Sequence, residues 1–448
     1  MPLSQLKRTS SRWNILSKVD QLGAVDFWTL TISLDSLSPQ ETAGLTVKDL
    51  SSTDSSTLSF SEYERRKKVL TLAAHEYTHF VDATSSLWGL QHLGYINVCG
   101  ALNMGDETQF HILKNTHNYM RSIRLPDYYT TVNLNLPTHR PWGSYVTSGV
   151  LFSKEGKLTD RPVIFVNFCT VEGNRFVRSP LSTVSLLEAS AMAKEIEVRL
   201  GLLDRLAENE RTVERRQMNE EIFSYLYNPN FTEYSACFHL MANVQNEKDI
   251  VVISQGAGIL ARIVLNAPAI AFNTASKNLK AYANAMNLAI DSLEVERVRL
   301  ALKIHSRGAL FFLIVMLLPK NIFQSQASFY VGLETALRTI ELSFEKLCRA
   351  AFEEAKYLLD VLNKSNLTPI KVLANGGYDN FMKILPNGLS YQLERLSLPP
   401  AVLGDEKMTQ YTFNSSDENL LAKFEIETAY DTLIHCQLRA ENFAEACI

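Results

Sequence analysis

The chain has 448 residues, a net charge of −4 and a pI near 6.2. Hydrophobic residues make up 46% of it, which excludes a disordered chain and suffices for one large or two ordinary cores, and the near-neutral balance excludes a global basic field that would draw in nucleic acid. The six cysteines, Cys99, Cys169, Cys237, Cys348, Cys436 and Cys447, are scattered without a CxxC pair, so they read as reduced thiols of a cytoplasmic protein rather than a disulfide frame.

The opening of the chain has no apolar run of about 7–15 residues, so no secretory leader is expected. Lys7, Arg8, Arg12 and Lys18 precede the first acid, Asp20; this reads as a surface start, although a transit peptide has the same bias. A strand is expected over residues 27–34, then a mobile Ser/Thr-rich loop over 51–61. Ser59 with Glu62, or Ser61 with Glu64, offers a capping box for a helix over about 60–88. Its first turns, with Glu62, Glu64 and the run Arg65-Arg66-Lys67-Lys68, read as a solvated face, and its next residues, Val69 to Ala74, as buried. A stop is expected between Ser85 and Gly89.

That helix carries His75-Glu76-Tyr77-Thr78-His79, an HExxH motif. Histidines four apart differ by only about 40° in direction, so both imidazoles leave one face and suit two ligands of a tetrahedral Zn²⁺. Glu76 points about 100° away from His75, outside the ligand set but within reach of a water held by the metal, which makes it the candidate general base. The alternative is a helix with incidental histidines; the apolar flanks Val69–Ala74 and Phe80-Val81 weigh against it, because buried imidazoles need something to satisfy them. Asp82 shares the histidine face and is a candidate to hold a ligand's other ring N–H, with a role as alternative ligand or exposed carboxylate left open.

Short strands are expected over residues 145–152, 163–168 and 174–177, with turns at 154–157 and 172–174. The edge of such a sheet can take an extended peptide by strand addition. A second helix opens near Ser182/Thr183 and runs to about residue 200. Within it Glu188, in an alanine-rich apolar stretch, is the best candidate for the third ligand, and its small neighbours would let it pack close to the motif helix. Glu195, same-faced with Glu188, is a spare carboxylate. Tyr234 and His239 are candidate oxyanion stabilisers, with Tyr95, His92 and His305 as further options, and His239 in its apolar segment also reads as a satisfied core histidine.

From about residue 191 to 363 the pattern is helical, with long helices over 279–304 and 331–362 and a buried core helix over 309–318 that is too short to span a bilayer. Residues 364–417, broken by prolines and glycines, read as an irregular lobe or lid, and 418–446 as a last helix. The expected organisation is a metal-binding region over 1–200, a helical region over 201–363, and a lobe with a terminal helix over 364–448. The expected class is α+β, mainly helical: zincin-like metal-site helices with a small β-sheet, plus a large helical C-terminal half.

A helix bearing HExxH followed by a later helix bearing Glu resembles the gluzincin branch of zinc metallopeptidases. More narrowly, His75-Glu76-Tyr77-Thr78-His79-Phe80-Val81-Asp82 followed by Gly89-Leu90 is similar to a poorly characterised bacterial group of predicted metallopeptidases with an HEYxHFxxD-like helix. In that group an ES-x-A-like segment follows downstream; here it is Glu188-Ala189-Ser190-Ala191, with Ala in place of Ser, and the ExxxD form is absent because Met192 stands four after Glu188. The resemblance implies His75, His79 and Glu188 as zinc ligands and Glu76 as the base. The resulting expectation is a zinc-dependent endopeptidase acting on a protein or peptide substrate, under control of a partner or ligand, with no nucleic-acid partner and no membrane span. The alternatives are a non-catalytic helical interaction protein with an incidental or structural metal, and metal-assisted hydrolysis of something other than a peptide.

Overall fold

A hairpin replaces the single strand expected over residues 27–34. In the computed structural model, which describes residues 22–50, 56–103, 105–133, 142–153, 156–413, 421 and 424–446, β1 (Ala24–Val25) pairs antiparallel with β2 (Ile32–Leu34). Between them the Asp26 carboxylate accepts from the amides of Trp28 (2.8 Å) and Thr29 (2.9 Å), and Leu30 takes φ 55°. A short acidic side chain that captures amides two and three residues on closes a turn instead of a ladder. The basic residues before Asp20 lie outside the described residues.

Helix α1 (Pro39–Thr42) opens with a Ser38–Glu41 capping box. Of the expected mobile loop, residues 51–55 lie outside the described residues; Ser56 is held by Arg205 through its carbonyl (2.9 Å) and hydroxyl (2.7 Å). Helix α2 (Phe60–Thr84) starts at Ser59, whose hydroxyl accepts from the Glu62 amide at 3.3 Å. Glu62 does not complete a capping box. Its carboxylate takes Arg65 (2.9 Å) and Arg66 (2.6 Å) instead, and Arg66 also pairs with Asp49 and Lys68 with Glu41. The basic run is thus an ion-pair seam rather than a freely solvated face.

α2 stops at Thr84 with Ser85 as its cap, and Ser86 caps α3 (Leu87–Ala101) by accepting from the Gly89 amide at 2.9 Å. Gly89 is therefore not a stop signal. A side chain there would meet the Ala83 carbonyl carbon at 2.5 Å, so glycine lets the two helices join at a tight corner. α4 (Phe110–Ile123) follows.

Next come β3 (Thr131–Val132), β4 (Gly143–Phe152), β5 (Leu158–Cys169) and β6 (Arg175–Pro180), an antiparallel sheet in the order β3-β6-β5-β4. The three expected strands are present and longer than their periodicity suggested. Of the expected turns, Lys154 and Glu155 lie outside the described residues, and Gly173 takes φ 86°. Then follow α5 (Thr183–Leu203), α6 (Glu208–Leu226), α7 (Thr232–Gln245), α8 (Ile250–Leu265), α9 (Ala269–Lys277), α10 (Lys280–Ala285), α11 (Leu293–Lys303), α12 (Arg307–Leu317), α13 (Gln326–Thr339) and α14 (Phe344–Leu362). Both long helices expected here are broken, between α10 and α11 near Asn287 (φ 53°) and between α13 and α14 at Glu341 (φ 60°). One left-handed residue ends a helix and turns the chain, while the apolar spacing runs on because the helices on either side both bury a face. α12 is the expected core helix, buried from Ala309 to Val315.

The expected irregular lobe contains a regular helix, α15 (Thr368–Ile384), with Pro369 in its first turn and Gly376-Gly377 inside it. A Cβ on Gly377 would lie 2.1 Å from the Thr84 carbonyl oxygen. The glycines mark close packing on the end of α2, not irregular chain. β7 (Ala401–Leu403) pairs parallel with β2, β8 (Gln410–Tyr411) pairs antiparallel with β7, and α16 (Ile426–Ala446) ends the described chain.

The class is α+β, mainly helical. Two units are formed: one from residues 1–123, 194–216 and 353–448, the other from residues 124–193 and 217–352. In the first, α2 packs on β1 and β2 of the mixed sheet β1-β2-β7-β8. That sheet, built from two stretches far apart in the chain, was not legible as one unit in sequence. In the second, the antiparallel sheet packs with α7, α11 and α12. No single described helix is long and apolar enough to cross a membrane.

Candidate metal centre

α2 buries Val69, Leu70, Ala73, Ala74, Tyr77, Phe80 and Val81, so its HExxH turn sits at the edge of a core. Tyr77 donates to the Pro399 carbonyl at 2.9 Å, which fixes the helix's rotation about its axis. The two imidazoles meet as the four-residue spacing requires, with Nε2 of His75 and Nε2 of His79 3.1 Å apart. Two nitrogens on one tetrahedral ion, each at about 2.0–2.1 Å, lie about 3.3 Å apart. The pair is already spaced for a shared cation.

α5 carries Glu188, which is 4% exposed, and one ligand atom from each of His75, His79 and Glu188 falls within 4.8 Å of the others. These three residues could hold a metal ion. The alanines around Glu188 are used differently from the sequence-based expectation. Ala189 and Ala193 face Gly258 of α8, where an added Cβ would come within 3.3 Å of the Ala189 carbonyl and 2.4 Å of the Ala193 methyl.

Glu195 lies two turns beyond Glu188 on the same face of α5. Its Oε2 is 3.1 Å from His75 Nδ1. A carboxylate only accepts, so Nδ1 carries the hydrogen and Nε2 presents its lone pair toward His79 and Glu188. Burial, and secondarily the neighbouring His75, hold the His79 pKa well below 6.5. A neutral imidazole is the form that binds a cation.

Glu76 is buried against the start of β1: a Cβ on Gly23 would lie 3.2 Å from Glu76 Cγ and 2.9 Å from the Ser33 carbonyl. Only glycine lets the backbone pass this close to the carboxylate's stem. The Phe27 ring stands edge-on to His79 at 6.3 Å. His92 Nε2 donates to the Phe27 carbonyl at 2.6 Å, and the Tyr119 hydroxyl reaches His92 Nδ1 at 3.3 Å.

The other sequence candidates sit as follows. Asp82 is buried one turn beyond His79. Tyr234 is buried with its ring edge-on to Phe231. His239 Nε2 donates to the Leu226 carbonyl at 3.0 Å. Tyr95 stacks on Tyr119 and His305 on Phe272. The structure thus groups His75, His79, Glu188 and Glu195. Gly23 and Phe27 are not among the site candidates in sequence, and nothing in their local pattern points to a site. Comparisons with protein-family models, curated proteins and solved structures found no match to this chain.

Proposed function

We propose that the chain is a zinc-dependent endopeptidase. The observation that carries this reading is that one ligand atom from each of two imidazoles and one carboxylate lies within 4.8 Å of the others, with the two imidazole nitrogens 3.1 Å apart. A His₂Glu donor set is one used by catalytic zinc, which takes three protein ligands and leaves a fourth position for water or substrate. When bound, the cation would supply Lewis-acid polarisation of a scissile carbonyl and acidify a water. Glu76 takes the proton as the water oxygen bonds to the carbonyl carbon, then delivers it to the amide nitrogen as the C–N bond breaks, giving a carboxylic acid and an amine, which then exchange a proton to become carboxylate and ammonium. Glu195 keeps His75 in the tautomer that coordinates. Beside Glu76, β1 is an end strand of its sheet among the described residues. An extended substrate backbone can align along it, which favours a peptide or protein substrate over a compact small molecule. Control by a partner or ligand belongs to the same proposal.

The test combines metal analysis with a base-deleting substitution. The purified chain should carry about one zinc per molecule, and Glu76→Gln should keep that zinc while losing about 10²–10⁴-fold in turnover on a peptide or protein library. A chain that remains zinc-free after dialysis against zinc, or a Glu76→Gln variant that cleaves at the parent rate, overturns the reading.

A further inference from the structure

The second unit holds a cavity of about 440 Å³, lined by Trp142, Tyr227, His239 and Ala242, with the charged residues Glu220, Glu247 and Lys248 also on its wall. That volume falls within the roughly 300–1,000 Å³ of small-molecule sites. It forms where the end of α6, one face of α7, the start of α8 and the residue before β4 meet.

The walls are aromatic and mutually braced. Trp142 stacks on the His239 ring at 5.5 Å and 20°, and Tyr227 meets both edge-on, at 4.9 Å from Trp142 and 5.0 Å from His239. His239 is 7% exposed. Because its Nε2 donates to the Leu226 carbonyl, its Nδ1 is an acceptor, and that atom has no hydrogen-bond partner among the described residues. Burial pushes the His239 pKa down to about 4, so the ring stays neutral near pH 7 and keeps that lone pair. Glu220 is exposed and has no ion-pair partner among the described residues.

We propose that this cavity binds a small heteroaromatic molecule that presents one ring N–H to His239 Nδ1 and carries no negative charge. Flat aromatic walls select a flat partner. A buried acceptor left without a donor costs about 1–3 kcal/mol, so the cavity favours a ring with an N–H over the same ring without one. The carboxylates of Glu220 and Glu247 outnumber the single Lys248 ammonium on the wall, which disfavours an anion. The site lies wholly within the second unit and does not depend on the peptidase reading.

The experiment uses the full chain, with benzimidazole and tryptamine as probes in calorimetry and ligand-observed NMR. Their ring-N-methylated forms, 1-methylbenzimidazole and 1-methyltryptamine, lack the donor, and indole-3-acetate supplies the anion. At least one N–H probe should bind saturably at one per chain and lose about tenfold or more in affinity on N-methylation, and indole-3-acetate should bind more weakly than tryptamine. Ala242→Phe, which fills the cavity, should abolish that binding with an unchanged circular dichroism spectrum. His239→Phe should bring the N–H and N-methyl probes to equal affinity. If either variant fails to fold, the comparison of probes on the parent chain still decides. Failure of both N–H probes to bind, equal binding of methylated and unmethylated rings, or parent-like binding to a folded Ala242→Phe overturns the proposal.

Discussion

His75 can turn its Nε2 toward His79 only if the hydrogen stays on Nδ1, and Glu195 holds it there at 3.1 Å. The contact is partly exposed, with 19% of the His75 side chain and 37% of the Glu195 side chain open to solvent, so its value lies in orientation rather than in stability. Glu195→Ala should lower zinc affinity about 10–100-fold, measured by competition with a chromophoric chelator, and Glu195→Gln, which keeps an acceptor oxygen, should lose less. Equal affinity in all three chains would show that the contact orients nothing.

At the scale of the element, two glycines inside helices have opposite meanings. Gly377 in α15 lets that helix touch the end of α2, and a methyl group there would come within 2.1 Å of the Thr84 carbonyl oxygen. Gly377→Ala should destabilise the fold by about 1–3 kcal/mol through overpacking, read as a lower urea midpoint. Gly94 in α3 faces open space, with no heavy atom within 4 Å of where a Cβ would stand. Gly94→Ala should stabilise by about 0.5–1 kcal/mol, because helix formation then costs less backbone entropy. A Gly377→Ala midpoint at or above that of the parent would show that the assigned α15–α2 contact is wrong. Hydrophobic periodicity cannot separate these two residues, since both sit in apolar helical patterns and differ only in what another part of the chain brings near them.

At the scale of the whole molecule, buried neutral histidines couple stability to pH. Burial lowers His92 and His239 from 6.5 to about 4 each, against smaller opposing effects from hydrogen bonds to the Phe27 and Leu226 carbonyls. The unfolded chain takes up protons below about pH 6.5, while the folded chain does not until about pH 4, so stability is full above the first value and falls between the two. At about 1.36 kcal/mol for each tenfold difference in proton affinity, the loss between pH 7.5 and 4.5 is on the order of 2–3 kcal/mol for each histidine. Urea midpoints measured without metal should therefore drop from pH 7.5 to pH 4.5; a flat or rising profile would show that these rings are not buried as neutral groups.

Spacing alone determined the local parts of this protein. The HExxH turn, the helix bearing Glu188, the strands at 143–180 and the core helix at 307–317 all follow from which faces must leave water, a property of neighbours a few residues apart. Tertiary structure decided everything that depends on distant partners. It paired β2 with β7, made a helix of the Gly376-Gly377 segment and gave Glu195 its place on His75. The physical reason is that an isolated window records what a residue prefers, whereas a parallel strand pair, a glycine's close approach and a carboxylate's hydrogen-bond partner are set by residues that only the folded chain brings within reach.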